Sequence, residues 1–263
     1  MTQMQKRAPK KVLFAAVLLT ATLVAVPLGQ GSAASAATKA SRSGVTRAPV
    51  GNIGKFKQRY VEDFATAAPA GGKFARTYAK TWQPYPDGTG GMYFSGSRIS
   101  AHDGVMDVSL NGKQGAAGTF GTPSGAWTHV GGKFTVRAKA TGGDGNGAAF
   151  MLWPTSDTWS DGEIDFPEGN FETKPNLFHH SMTPGNEWQT VTMSSGVSWR
   201  DWHTYSVEWI PGKSVSYSVD GKTITTVTKD VPTTAHRYMF QVGDWGASGH
   251  LMIDWVTTYD YVR

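Results

Sequence analysis

From about residue 52 to its end the chain alternates apolar and polar positions with a period of two. His203, Tyr205, Val207 and Trp209 alternate with Thr204, Ser206 and Glu208. Phe134, Val136 and Ala138 alternate with Thr135, Arg137 and Lys139, and Val215, Tyr217 and Val219 alternate with serines. Successive side chains on a strand point to opposite faces, so this pattern predicts half-buried β-strands. Asp103-Gly104, Asn111-Gly112, Gly131-Gly132, Pro211-Gly212 and Asp220-Gly221 punctuate the runs with the residues that tight turns need. No strong amphipathic helix and no internal repeat interrupts them. Many strands at a spacing of about 8–12 residues predict a single all-β sandwich over residues 52–263. The glycine runs at 88–91 and 142–147 read as loops, because no Lys-Ser/Thr follows to make a phosphate cradle.

One stretch departs from simple alternation. Asp161-Gly-Glu-Ile-Asp-Phe-Pro-Glu-Gly-Asn170 places Glu163, Asp165 and Glu168 close together. On a strand Glu163 and Asp165 share one face, with Ile164 and Phe166 on the other. Strict alternation would bring Pro167 rather than Glu168 onto the acidic face. One extra residue, a β-bulge, would re-aim Glu168 to join the other two, and proline is tolerated at bulges. Carboxylates crowded on one face repel each other, so one of them keeps its proton at neutral pH. A carboxylate beside a protonated carboxyl, roughly 5–5.5 Å apart, is the pair that retaining glycoside hydrolysis needs. A solvated acidic face or a cation site would use the same residues.

Glu163-Ile-Asp-Phe-Pro-Glu168 resembles the E-x-D-x-x-E signature of glycoside hydrolase family 16, the laminarinase and lichenase group of β-glucanases, in its bulged form. Gly132–Lys139 and Gly147–Pro154 are similar to the two strands that precede the catalytic strand there, and Trp202–Trp209, Tyr217–Gly221 and Met252–Val256 to the family's C-terminal strands. The likeness begins near Tyr60. It implies a jelly roll of two curved antiparallel sheets whose concave face forms the substrate cleft. It also implies a retaining endo-β-glucanase acting on β-1,3 or β-1,3/1,4 glucans. In that scheme Glu163 is the nucleophile, Glu168 the general acid and then base, and Asp165 the residue between them. Rival expectations are the same fold acting on galactans, a wall-remodelling transglycosylase, a lectin-like glucan-binding sandwich, and an adhesion domain that binds calcium.

The resemblance also marks candidates for substrate contact. Sugar rings present flat C–H faces edged by hydroxyls, which suits aromatic platforms. Trp153, Trp159, Trp209 and Trp245 are expected at the cleft. Alternation lets only one of His179 and His180 face it, and the family's apolar-His pair favours His179. Asp254 matches the aspartate that holds a structural Ca2+ in many relatives, an ion with oxygen ligands. No cofactor is expected for catalysis. Departures from the family pattern at Glu62-Asp63-Phe64, Gln241 and Gly243-Asp244-Trp245 bear on linkage specificity rather than on hydrolysis.

The first residues change the picture of charge and location. Lys6, Arg7, Lys10 and Lys11 precede an apolar run from Val12 to Val26 and a small-residue stretch from Gly31 to Ala37. That order predicts a secretory signal peptide over residues 1–37, with an apolar run too short to span a bilayer. Residues 38–51 read as a flexible linker containing Lys39, Arg42 and Arg47. These two segments hold seven of the 25 basic residues and none of the 20 acids, so the formal charge of +5 becomes a slight acidic excess beyond them. That balance excludes a basic nucleic-acid surface and suits a neutral polysaccharide partner better than a heavily sulfated one. With no cysteine in the chain, disulfides and a lipid-modified cysteine are excluded. The expectation is a secreted monomer, free of the membrane once its leader is removed.

Overall fold

The computed structural model describes residues 47–143, 145–243 and 246–263, which puts the expected leader and most of the linker outside the described residues. Its strands, numbered along the chain, fall into two antiparallel sheets. Sheet A contains β1 (Phe56–Glu62), β3 (Ile99–His102), β4 (Val105–Asn111), β6 (Gly132–Gly142), β11 (His203–Ile210), β12 (Ser214–Val219), β13 (Lys222–Val227) and β15 (Ser248–Tyr261). Sheet B contains β2 (Trp82–Pro84), β5 (Ala116–Phe120), β7 (Gly147–Pro154), β8 (Ile164–Asn170), β9 (Asn176–His180), β10 (Thr190–Ser194) and β14 (His236–Gly243). Sheet A runs in the order β13-β12-β11-β6-β15-β4-β3, with β1 also on β15, and sheet B runs β10-β9-β8-β7-β14-β5-β2. This is an open all-β sandwich, as the alternation and turn spacing predict, and it has the jelly-roll form that the family resemblance implies. Two short helices, α1 (Lys73–Thr77) and α2 (Ser95–Arg98), lie in the connections, and among the described residues no helix is long and apolar enough to cross a membrane.

Two of the turn pairs explain their own hairpins. Asp103-Gly104 joins β3 to β4 and Asp220-Gly221 joins β12 to β13, and all four residues have positive φ. That backbone, favourable for Gly and tolerated by Asp, matches the twist of two adjacent strands. Residues 47–51, expected at the end of the linker, are tied to β1. Gln58 donates from Nε2 to the carbonyl of Pro49 at 2.7 Å and accepts from the amide of Gly51 at 2.8 Å.

The core lies between the sheets. Tyr205, Val207 and Trp209 of β11 and Val215, Tyr217 and Val219 of β12 are buried, while their polar neighbours are not. Ile164 and Phe166 reach the same core from β8. The ring of Phe166 meets those of Tyr205 and Tyr217 edge to face, with centroids 5.5 and 5.7 Å away. Each such side chain contributes about 1.5–3 kcal/mol through burial, and edge-to-face pairing adds to it. The apolar half of β8 is thereby pinned, and its other face is turned outward from sheet B.

Candidate active site

That outward face carries the acidic residues. On β7, Met151 pairs with Asp165 and Ala149 with Glu168; on β9, Phe178 pairs with Asp165 and Asn176 with Glu168. Both neighbours use two residue steps where β8 takes three, so β8 holds one extra residue between Asp165 and Glu168. The bulge contains Pro167, whose peptide bond with Phe166 is cis. Glu168 therefore emerges on the face of Asp165, as the sequence predicts. Glu163 stands just before β8, and its carbonyl still accepts the amide of His180 at 3.1 Å. A short 3-10 helix, Trp159–Asp161, and Gly162 lead into it. Gly162 has φ of 111°, and a Cβ there would meet Pro232 at 2.4 Å, so only glycine fits this entry.

The carboxylates form one network. One ligand atom each from Glu163, Asp165 and His180 lies within 4.8 Å of the others, and Glu168 is hydrogen-bonded to Asp165. The indole N–H of Trp159 donates to Oε2 of Glu163, and its ring packs 5.6 Å from that of His180. His180 Nε2 is 3.1 Å from Oδ2 of Asp165 and 3.8 Å from Oε2 of Glu163. Its Nδ1 lies 2.8 Å from the carbonyl of Glu187, which can only accept, so Nδ1 carries a hydrogen. Among the described residues these three form the one group of His, Cys, Asp or Glu side chains close enough to hold a metal ion. Their bonds to Trp159 and Glu168 make the arrangement a proton network.

Burial is the main electrostatic fact. It raises the pKa of all three carboxyls well above the ordinary carboxylate range. The charge of Asp165 raises Glu163 further, whereas His180 and the indole N–H of Trp159 pull it back. Glu168 is raised by burial, then by the charge of Asp165, and again by its hydrogen bond to that residue. The same bond works the other way on Asp165, which burial nevertheless holds well above the ordinary carboxylate range. One end of the trio receives the N–H of Trp159, and the other shares a hydrogen bond between two carboxyls.

Trp153 projects from the face of β7 that carries Met151, and its Nε1 donates to Asp157 Oδ1 at 2.9 Å. Trp159 is at the trio. Trp245 lies outside the described residues. Two expectations are corrected. Trp209 is fully buried, donating from Nε1 to the carbonyl of Pro232 at 2.9 Å. It belongs to sheet A, whose inner face is core, so it cannot line an outward face of sheet B. His179 pairs with Ile164 and shares its core-facing side. Its Nε2 donates toward the carbonyls of Lys229 and Asp230, its Nδ1 accepts from the hydroxyl of Tyr217 at 2.8 Å, and burial lowers its pKa. His180, one residue on, is the histidine at the carboxylates.

Asp254 accepts from Nε of Arg137 at 3.0 Å, next to the register shift between Ile253 and Trp255. The guanidinium supplies the countercharge expected from calcium, and a divalent ion would have to share Oδ2 with it. Sequence reasoning missed Tyr85, Tyr93, Trp127 and Arg237, which line sheet B farther from the trio. The Tyr93 hydroxyl donates to Oε1 of Gln241 at 3.0 Å, and the Tyr85 hydroxyl meets Sδ of Met239 at 3.6 Å. Only strand pairing brings these residues to the trio's side of the molecule, and no local motif announces them.

Known proteins resemble this chain in sequence and in fold. The β-glucanase of Bacillus subtilis is 28% identical over 135 residues, 50% of this chain and 53% of that protein. Crh-like protein 2 of Aspergillus fumigatus is 28% identical over 112 residues, 41% of this chain and 25% of that protein. The chain thus spans about half the length of the first relative and a quarter of the second. The laminarinase from Rhodothermus marinus superposes with a TM-score of 0.61 at 17% identity, covering 79% of this chain and 98% of that one. The catalytic domain of an endo-1,3-beta-glucanase from Thermotoga petrophila gives 0.62 at 18%, covering 80% and 100%. At such identities the structural likeness speaks for the fold. The family model for glycosyl hydrolases family 16 matches residues 91–262, well over half of the sequence, and to that family the chain belongs.

Proposed function

We propose that this protein is an exported, retaining endo-β-glucanase that cleaves β-1,3 or β-1,3/1,4 glucans by double displacement. Glu168 donates its proton to the glycosidic oxygen as that bond breaks, and Glu163 attacks the anomeric carbon to form a glycosyl-enzyme. Water then displaces Glu163, giving up a proton to Glu168, which is thereby restored. Asp165 bonds to the acid between steps, and the indole N–H of Trp159 favours the ionised form of Glu163. The observation that carries the proposal is the bulge that brings Glu168 onto the face of Glu163 and Asp165, where burial raises its pKa. The family membership and the names of the relatives support glucan as the polymer. Trp153 and Trp159 are the platforms proposed for sugar rings. No ion at Asp254 is required, because Arg137 already pairs with it.

A reducing-sugar assay on laminarin, lichenan, agarose and xyloglucan tests the polymer, with Glu163→Gln and Glu168→Gln as controls. Turnover of laminarin or lichenan, lost in both variants, is the expected result. Wild-type-like rates in Glu163→Gln would remove the mechanism. The anomer first released, followed by NMR, distinguishes retention from inversion. N-terminal sequencing of protein recovered from culture medium tests export.

A further inference from the structure

The outward face of sheet B holds a second feature besides the trio. Asp165, Met151, Met239, Thr119 and Gln83 are register partners in turn from β8 across β7, β14 and β5 to β2. Thr119 therefore stands three strands from Asp165 on the same face, about 14 Å away at ordinary strand spacing. There a groove of about 380 Å³ is lined by Gln83, Tyr85, Thr119, Trp127 and Arg237, among others, and by no carboxylate. Arg237 is stacked on the Trp127 ring at 4.1 Å, and its side chain is 8% exposed. The guanidinium is anchored at one corner, where Nη2 donates to Asp157 at 3.0 Å, and Asp157 also takes the Trp153 indole N–H. Oε1 of Gln83 accepts from the indole N–H of Trp127 at 2.9 Å. These bonds orient the remaining groups without satisfying them. Nε and Nη1 of Arg237, Nε2 of Gln83 and Oγ1 of Thr119 are buried with no partner among the described residues.

Buried polar groups left unpaired are costly, and three of these four can only donate. A neutral hydroxyl brings its own donor along with its acceptor pairs, whereas an oxyanion offers acceptors alone. Asp157 reaches the guanidinium only at Nη2, from a position 67% exposed, and leaves Nε and Nη1 to another acceptor. We propose that this groove is a distal subsite for a sugar unit carrying an acidic substituent, a carboxylate or a sulfate ester, on the same glycan that occupies the trio. The proposal rests on the glycanase reading above and sharpens it. The acidic group meets Arg237 and Gln83, the ring lies against Trp127 and Tyr85, and the chain runs across β5, β14 and β7 to the trio. Stacking on Trp127 fixes the guanidinium plane before binding, which lowers the ordering cost.

Calorimetry on the Glu163→Gln protein at low salt tests it with three probes: a β-1,3-gluco-oligosaccharide, the same oligosaccharide oxidised to C6 carboxylates, and its sulfated form. At least one acidic probe is expected to bind about ten-fold tighter than the neutral one, the weight of one hydrogen bond to a charged group. Which acidic probe gains identifies the substituent. Adding Arg237→Gln should abolish the preference. Adding Gln83→Glu instead keeps the acceptor for Trp127 but puts a negative charge in the groove, and should abolish it in a protein that still binds the neutral probe. Equal binding of all three probes, or a preference that survives either change, overturns the proposal. Failure of the glycanase reading looks different: the wild type then hydrolyses none of the three.

Discussion

His180 stands 3.1 Å from the carboxylate of Asp165, while the side chain before it, His179, turns into the core and bonds to Tyr217. The two neighbours therefore fail in different ways. His180→Ala should leave the melting temperature nearly unchanged and reduce kcat/KM roughly ten- to hundred-fold, the value of a hydrogen bond to a charged group. His179→Ala should cost about 2–4 kcal/mol of stability, through a cavity and unpaired carbonyls, with activity retained in whatever fraction stays folded. Thermal melts beside initial rates separate the two, and a reversed pattern would return the cleft to His179.

Trp159→Phe keeps the ring beside His180 but removes the N–H that lowers the pKa of Glu163. Glu163 then ionises at higher pH, so the acid limb of the kcat/KM profile should move upward. The basic limb, set by Glu168, should stay. An unmoved acid limb would show that the indole does not hold the nucleophile.

Asp165→Asn acts on both limbs. The Asp165 charge raises both glutamates, and its hydrogen bond raises Glu168 further. Without that charge both pKa values fall, and the pH optimum should shift to lower pH. Turnover at neutral pH should drop, though less than in Glu163→Gln. An optimum that stays or rises contradicts the network.

The buried carboxyls also tie stability to pH. A raised pKa means the folded state binds the proton more tightly than the unfolded chain, whose carboxyls titrate near about 4. Stability is therefore greatest below that range and is lost as pH rises through the raised values. Glu168→Gln removes the penalty, so at pH 7 it should melt a few degrees higher than wild type. Near pH 4 the difference should vanish. An equal gain at both pH values would point to a cause other than ionisation.

Asp254 predicts a negative result for metal removal. Its partner is Arg137 at 3.0 Å, so adding EDTA should leave the melting temperature unchanged. A calcium-reversible fall of several degrees would restore the ion.

Much of this was legible in the chain because period-two alternation and turn chemistry are local. The strands, the Asp-Gly hairpins and the bulge at Pro167 needed only neighbouring residues to predict. Trp209 shows the limit: its alternation with Tyr205 and Val207 placed it inward, and only the sheet assignment of β11 says that inward means core. His179 and His180 differ by one step of register against Ile164, which a motif alignment does not resolve. Trp127 and Arg237 come together through β14 and a loop more than a hundred residues apart, a relationship set by the sheet order.

The extra residue in β8 is a matter of parity. Glu168 is an odd number of steps along the chain from Asp165, and an unkinked ribbon would have pushed its carboxyl into the hydrocarbon interior beside Phe166. A strand with an even number of steps would reach the same outward geometry without a kink. The face on which Glu168 emerges is therefore set by the parity of the steps and the kink together, not by the number of links alone. Inserting or deleting one residue here can be tolerated only together with a compensating kink or its loss.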